Sequence, residues 1–222
     1  MSVRSHARTR TVAVARVLAS TAGLVLLAAA TSAQQREPRA EQDRPAQDEP
    51  LQNDAPGHAF ELALGGDGLA AAYRSAFHRG GGYSVLGFFV NEDDDLALHA
   101  RFLRFGEPGA EAPLALGIGV GVFAAAVDEQ NAELVAITLS GAVEYEFELA
   151  YPVRLVLEAS YAPDMATFLD GQRVLDVVGR VETDLSSWAT AFAGYRHLEA
   201  DLENAADPEL DSALQIGVRL GV

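Results

Sequence analysis

Residues 133–163 read ELVAITLSGAVEYEFELAYPVRLVLEASYAP, and their alternation decides the fold. Glu144, Glu146 and Glu148 occupy every second position, while Val143, Tyr145, Phe147 and Leu149 fill the positions between. A period of two belongs to an extended chain with two chemically distinct faces. In 133–149 one face carries Val135, Ile137, Leu139, Gly141, Val143, Tyr145 and Phe147, and the other carries Ala136, Thr138, Ser140, Ala142, Glu144 and Glu146. After the break at LAYP, the stretch 152–163 sets Val153, Leu155, Leu157 and Tyr161 against Arg154, Glu158 and Ser160.

The same pattern extends in both directions. It predicts strands near 58–65, 69–78, 82–91, 95–106, 113–127, 133–149, 152–163, 172–185, 188–201 and 210–222. The breaks GGDG, HRGGG, NEDDD, GEPGAEAP, DEQNAE, LAYP, PDMATFLDGQ, DLSS and ENAADPE supply the Gly, Pro, Asp and Asn that turns require. In 172–185 Leu175, Val177, Val181 and Leu185 oppose Asp176, Arg180 and Glu182. In the last strand Leu214, Ile216, Val218, Leu220 and Val222 oppose Gln215, Gly217, Arg219 and Gly221. No run of comparable length keeps a 3.6-residue period, so the expected fold is all-β. Arg101, Leu103 and Phe105 share one face, which predicts a bulge or register shift in 82–91 or 95–106.

Alternation alone fits a soluble barrel with an apolar interior or a membrane barrel with an apolar exterior. Three features favour the membrane. The polar face is rich in Gly, Ala and Ser, as a crowded lumen requires. Phe60, Tyr73, Phe77, Tyr145, Phe147 and Tyr161 lie toward strand ends, with Trp188 beside a turn, where membrane interfaces favour aromatic rings. The sequence ends on an apolar alternating strand. With both termini periplasmic, the odd-numbered turns, including PDMATFLDGQ and ENAADPE, face outward, and LAYP and DLSS face inward. The expectation is a transmembrane up-and-down antiparallel β-barrel of ten strands, or eight if residues 58–78 pair poorly.

Residues 1–33 place Arg4, Arg8, Arg10 and Arg16 before VLASTAGLVLLAAA and TSA, the layout of a cleaved signal peptide. Removing them takes away four arginines and no acids, so the formal charge goes from −16 to −20. Residues 34–57 are rich in Gln, Glu, Asp, Arg and Pro and read as a disordered lead-in. All 16 basic residues are arginine, and there is no cysteine. Thiolate and lysine chemistry are thereby excluded, and the acidity argues against nucleic acid as a partner.

The stretches ASYAPD (159–164), VVGRVETDLSSWATAFAGYRHLEAD (177–201) and SALQIGVRLGV (212–222) resemble the YfaZ family of bacterial outer-membrane proteins. FELALGGDGLAAAYR (60–74) and LALGIGVGVF (114–123) fit the same likeness. The resemblance implies a small porin-like barrel without a settled substrate, and it supplies no catalytic residues to carry over. Val222 stands where outer-membrane barrels generally carry an aromatic.

On this reading the lumen holds Glu61, Glu144, Glu146, Glu158, Asp176 and Glu182 with Arg74, Arg101, Arg154, Arg180, Arg196 and Arg219. Opposite charges there either fill the interior or line a narrow passage for small solutes. His197 near Glu199 and His99 near Arg101 are the only approaches to catalytic chemistry, and no enzyme is expected. Asp93, Asp94 and Asp95 and the acidic run 203–211 lack calcium-loop spacing, so no metal or other cofactor is expected. Trp188 and Phe192 read as interface anchors. The expected setting is the outer membrane of a Gram-negative bacterium, with lipid, lipopolysaccharide and the barrel-assembly machinery as partners. The alternatives to a narrow channel are a non-conducting structural or interaction barrel with acidic outer loops, and a soluble periplasmic ligand-binding barrel.

Overall fold

The computed structural model describes residues 57–222 except 67, 78–80, 94, 107–112, 129–131, 148, 150 and 203–208. The signal peptide and nearly all of the lead-in therefore lie outside the described residues, as do Asp94 and most of the acidic run 203–211. The strands are β1 (His58–Gly65), β2 (Gly68–Phe77), β3 (Gly82–Asn91), β4 (Leu96–Phe105), β5 (Leu114–Val127), β6 (Ala132–Phe147), β7 (Val153–Ala162), β8 (Thr167–Leu169), β9 (Gly171–Ser186), β10 (Ala189–Leu202) and β11 (Glu209–Gly221). Every predicted strand is present, with boundaries within two residues of those expected. The addition is β8, which follows a single 3-10 turn at Asp164–Ala166 and pairs with β6 above the end of β7.

Apart from β8, each strand pairs antiparallel with its sequence neighbours, β7 passing directly to β9, and β1 pairs with β11 to close the ring. The result is a ten-stranded up-and-down barrel. The first and last strands meet in continuous register from Ala59–Gly221 to Gly65–Gln215, so residues 58–78 pair fully and the eight-stranded alternative falls away. Closure pairs the edges that would otherwise present unmatched backbone groups to lipid.

The expected bulge in β3 or β4 is absent. Their mutual register runs without a shift from Gly82–Arg104 to Val90–Leu96, and β4 stays regular against β5 as well. Arg101, Leu103 and Phe105 share a face because all three point inward. Gly117 leaves room for the Phe105 ring, and Leu103 is fully buried. The irregularities lie instead around β10, at Ala189/Thr190, Leu198/Glu199 and Asp201/Leu202.

Over the half of the barrel nearer His58 and Val222, the outer wall is apolar, and the inner wall mixes charged and small residues with Leu103, Phe105, Val156 and Phe192. Phe60, Leu62, Leu116, Ile118, Leu139, Leu155, Val181, Ile216 and Leu220 are exposed on the outside, Ile118 to 79%. Such a belt is the surface of a barrel that spans a bilayer. The opposite half of the longer strands reverses this pattern. There Phe123, Ala125, Leu134, Val174, Leu198, Ala200 and Leu202 form a buried core inside the barrel. On the outside Arg173 pairs with Glu199 at 3.1 Å and Asp201 at 2.6 Å. β5, β6, β9 and β10 have 14 to 16 residues, more than the roughly 9–11 that cross a bilayer. The surplus, about 15 Å at the usual rise per residue, carries an apolar inside and, on the outside, the Arg173, Glu199 and Asp201 charges beside exposed Tyr161, Phe168 and Leu169. We call this end the crown.

Candidate functional site

The lumen has two layers. The lower layer, toward the termini, is a network of buried ion pairs held by strands on all sides of the ring. Glu158 of β7, 2% exposed, is its central node. It meets Arg74 of β2 at 3.4 Å, Arg101 of β4 at 3.0 Å and Arg180 of β9 at 3.2 Å, and Tyr83 of β3 donates its hydroxyl at 3.0 Å. Glu61 of β1 accepts from Arg74 at 3.0 Å, Arg180 at 2.9 Å and Arg219 of β11 at 3.2 Å. Glu182 lies 2.7 Å from Arg180 and 2.6 Å from Arg219, and 3.7 Å from Arg154, which turns to Asp184 at 2.8 Å. A second group joins Asp176 to Arg196 through two hydrogen bonds of 3.0 and 3.3 Å.

The period-two pattern puts every one of these side chains on the same face, and ring closure brings that face to a common axis. Buried ions are tolerated only when their partners and hydrogen bonds replace water. Sharing each of Glu61, Glu158 and Glu182 among three guanidinium groups achieves this, while Asp176 and Asp184 each hold one. Ten of the twelve lumen charges expected from sequence enter these pairs. Glu144 and Glu146 make no ion pair among the described residues and sit toward the terminal mouth. Sequence reasoning missed Tyr83 and Asp184. Asp184 was legible, since it shares parity with Glu182, whereas Tyr83 sits on a strand whose apolar residues occur on both faces.

The upper layer is apolar. Phe89 and Phe123 belong to the crown core, and the Arg196 guanidinium stacks 5.2 Å from the Phe89 ring centroid. Phe192 also points inward, under Arg180 at 5.3 Å, with Gly217 providing space for its ring. It is therefore a lumen residue and not an interface anchor; its parity with Gly194 and Arg196 on β10 carries it inside. Among the described residues a cavity of about 50 Å³ opens at the network, lined by charged residues together with His99, Ala63, Val85 and Val178. That is room for about three waters.

The remaining expected groups take these places. Phe60, Phe77, Tyr145, Phe147 and Trp188 are exposed outside near the terminal end, and Tyr161 is exposed on the crown side. Tyr73 stacks on His58 and lies tilted against Phe60. His99 is inside, and its ring occupies the space left by Gly87. His197 is outside, on the crown, 3.5 Å from Glu199 and 3.5 Å from Ser212 Oγ. Both contacts are at the long limit of interaction, and Arg173 also holds Glu199. Asp95 ties two hairpin ends together, accepting from Asn91 Nδ2 at 3.0 Å and the Asp128 N–H at 2.9 Å. Among the described residues no cluster of three His, Asp or Glu groups converges to hold a metal ion.

No family model matches the chain, and no curated protein matches it. Two solved structures align with it at low similarity. A bacterial polysaccharide outer membrane secretin aligns at a TM-score of 0.42 and 9% identity, over 72% of this chain and 57% of that one. A KdgM porin in complex with disordered oligogalacturonate aligns at a TM-score of 0.37 and 8% identity, over 74% of this chain and 98% of that one. The barrel assignment rests on this chain's own strand pairing.

Proposed function

We propose that this protein is an outer-membrane barrel, porin-like in architecture, whose lumen is closed at rest, and that it acts as a non-conducting structural or interaction barrel presenting its crown outside the cell. The observation that carries this reading is the filling of the lumen among the described residues: buried ion pairs below, an apolar core above, and a cavity of about 50 Å³ at the network. A solute pathway needs continuous polar space, and the crown core interrupts it. The apolar outer belt fits a membrane setting, and it counts against the soluble ligand-binding barrel. Resemblance to the YfaZ family supports the same setting and is part of the proposal, as are lipid, lipopolysaccharide and the assembly machinery as partners. No enzymatic role is proposed.

A second reading, a narrow channel that opens, is favoured by one feature. The lower layer consists of side chains, so opening it would not require the barrel wall to move. Ion flux into vesicles decides between the two. Under the closed reading, vesicles carrying the purified barrel leak potassium and chloride no faster than empty ones. Steady flux through the wild-type protein would replace it with the channel.

A further inference from the structure

The outside of the crown changes character around the ring. Strand register allows a like-for-like comparison. Tyr161 of β7 pairs with Leu139 of β6 on one side and with Leu175 of β9 on the other, and Leu175 pairs with Glu199 of β10. The next outward positions, farther from the termini, are Ile137 on β6, Arg173 on β9 and Asp201 on β10. On β9 and β10 these rungs carry charge, with Arg173 held between Glu199 and Asp201. On β6 the apolar face continues through Ile137 to Val135, which pairs with Phe168 of β8. Phe168 and Leu169 are exposed, and Met165 in the turn before them is exposed to 88%. The carboxylates of Asp164 and Asp170 close this patch at its far edge, Asp170 accepting the Glu133 N–H at 3.1 Å.

The length of the apolar outside differs accordingly. On β6 it runs from Phe147 to Val135, longer than the roughly 9–11 residues of a strand that crosses a bilayer. On β10 it runs from Trp188 to Tyr195 and falls short of that length before His197 and Glu199 begin. A contiguous exposed apolar patch marks an interaction surface. This one joins the belt without a break through Leu139 and Leu157, which are exposed in the same way.

We propose that the β6–β8 side of the crown is covered by lipid acyl chains, so that the hydrocarbon layer stands higher against β6 and β8 than against β9 and β10. The inference rests on the reading of the barrel as membrane-embedded and adds which part of the crown lipid reaches. A second copy of the chain fits the patch less well. A stable protein interface takes about 20–30 residues on each side, whereas this patch is a few side chains on a convex wall. The carboxylates of Asp164 and Asp170 then lie at headgroup level, and the Arg173 cluster faces water on the opposite side.

The test is a nitroxide label at Phe168→Cys in phosphatidylcholine vesicles, compared with labels at Glu199→Cys and in the belt at Ile118→Cys. Met165→Cys serves as a second position if the first variant fails to fold. The expected result is that the patch label, like the belt label, collides with oxygen more than with a water-soluble nickel chelate, while the Glu199 label shows the reverse. Chelate access at the patch equal to that at Glu199, with the belt label still in lipid, would overturn the proposal and leave the embedded barrel standing. Spin–spin broadening at the patch that disappears on dilution with unlabelled protein would also overturn it, because a second copy would then cover the site. Free chelate access at Ile118 as well would remove the membrane reading itself.

Discussion

Removing the Glu158 carboxylate probes the closed lumen most sharply. In Glu158→Ala, Arg74 keeps Glu61 at 3.0 Å, and Arg180 keeps Glu61 at 2.9 Å and Glu182 at 2.7 Å. Arg101 keeps only the Ser160 hydroxyl at 3.3 Å. The substitution therefore orphans one buried guanidinium, not three. Breaking a buried pair by deleting one partner costs about 3–5 kcal/mol, because the other charge stays desolvated. Loss of the Tyr83 hydrogen bond lies within that range, since such terms are not additive. Were the lumen open and hydrated, the same deletion would cost only the ~0.2–1 kcal/mol of an exposed pair. The assay is urea unfolding of the barrel in lipid vesicles, followed through its single tryptophan, Trp188. A loss below about 1 kcal/mol would refute the view that these charges are buried.

Other outcomes follow from packing and polarity. Leu198→Ala, at a fully buried position of the crown core, should cost about 2–5 kcal/mol in the same assay. Gly217→Ala should cost about 1–3 kcal/mol, because its Cβ would collide with the Phe192 ring and the Leu62 carbonyl oxygen. Gly141→Ala faces outward with nothing within 4 Å and should be neutral or stabilise by up to about 1 kcal/mol through the unfolded chain. A spin label at Glu199→Cys should be reached by a water-soluble nickel chelate in vesicles, as the charged outside of the crown requires.

The barrel could be read from alternation because a strand with one lipid face and one crowded face leaves two different residue sets, as Ile137 and Leu139 do beside Thr138 and Ser140. Most lumen charges followed from the same parity. The crown could not be read this way. Along β10 the inward positions pass from Gly194 and Arg196 to Leu198, Ala200 and Leu202, while the outward ones pass from Ala193 and Tyr195 to His197, Glu199 and Asp201. That exchange records the membrane boundary along one unbroken strand, and a face assigned from the strand's start carries the wrong label at its end. Phe192 shows the converse limit. An aromatic near a turn fits an interface or a lumen equally well, and only the space above Gly217, its cross-strand partner on β11, settles which. Individual partners within the network depend on ring closure, which joins Glu61 to Arg219 across most of the chain.

The central claim is that the apolar face of the strands meets lipid around a closed, charged interior. The chain has no cysteine, so a single spin label at Ile118→Cys, on the most exposed part of the β5 belt, tests it directly. In vesicles the account predicts frequent collision with oxygen, which concentrates in lipid, and little with the nickel chelate. Free collision with the chelate and protection from oxygen would mean that this face meets water and that the inside and outside of the barrel have been exchanged.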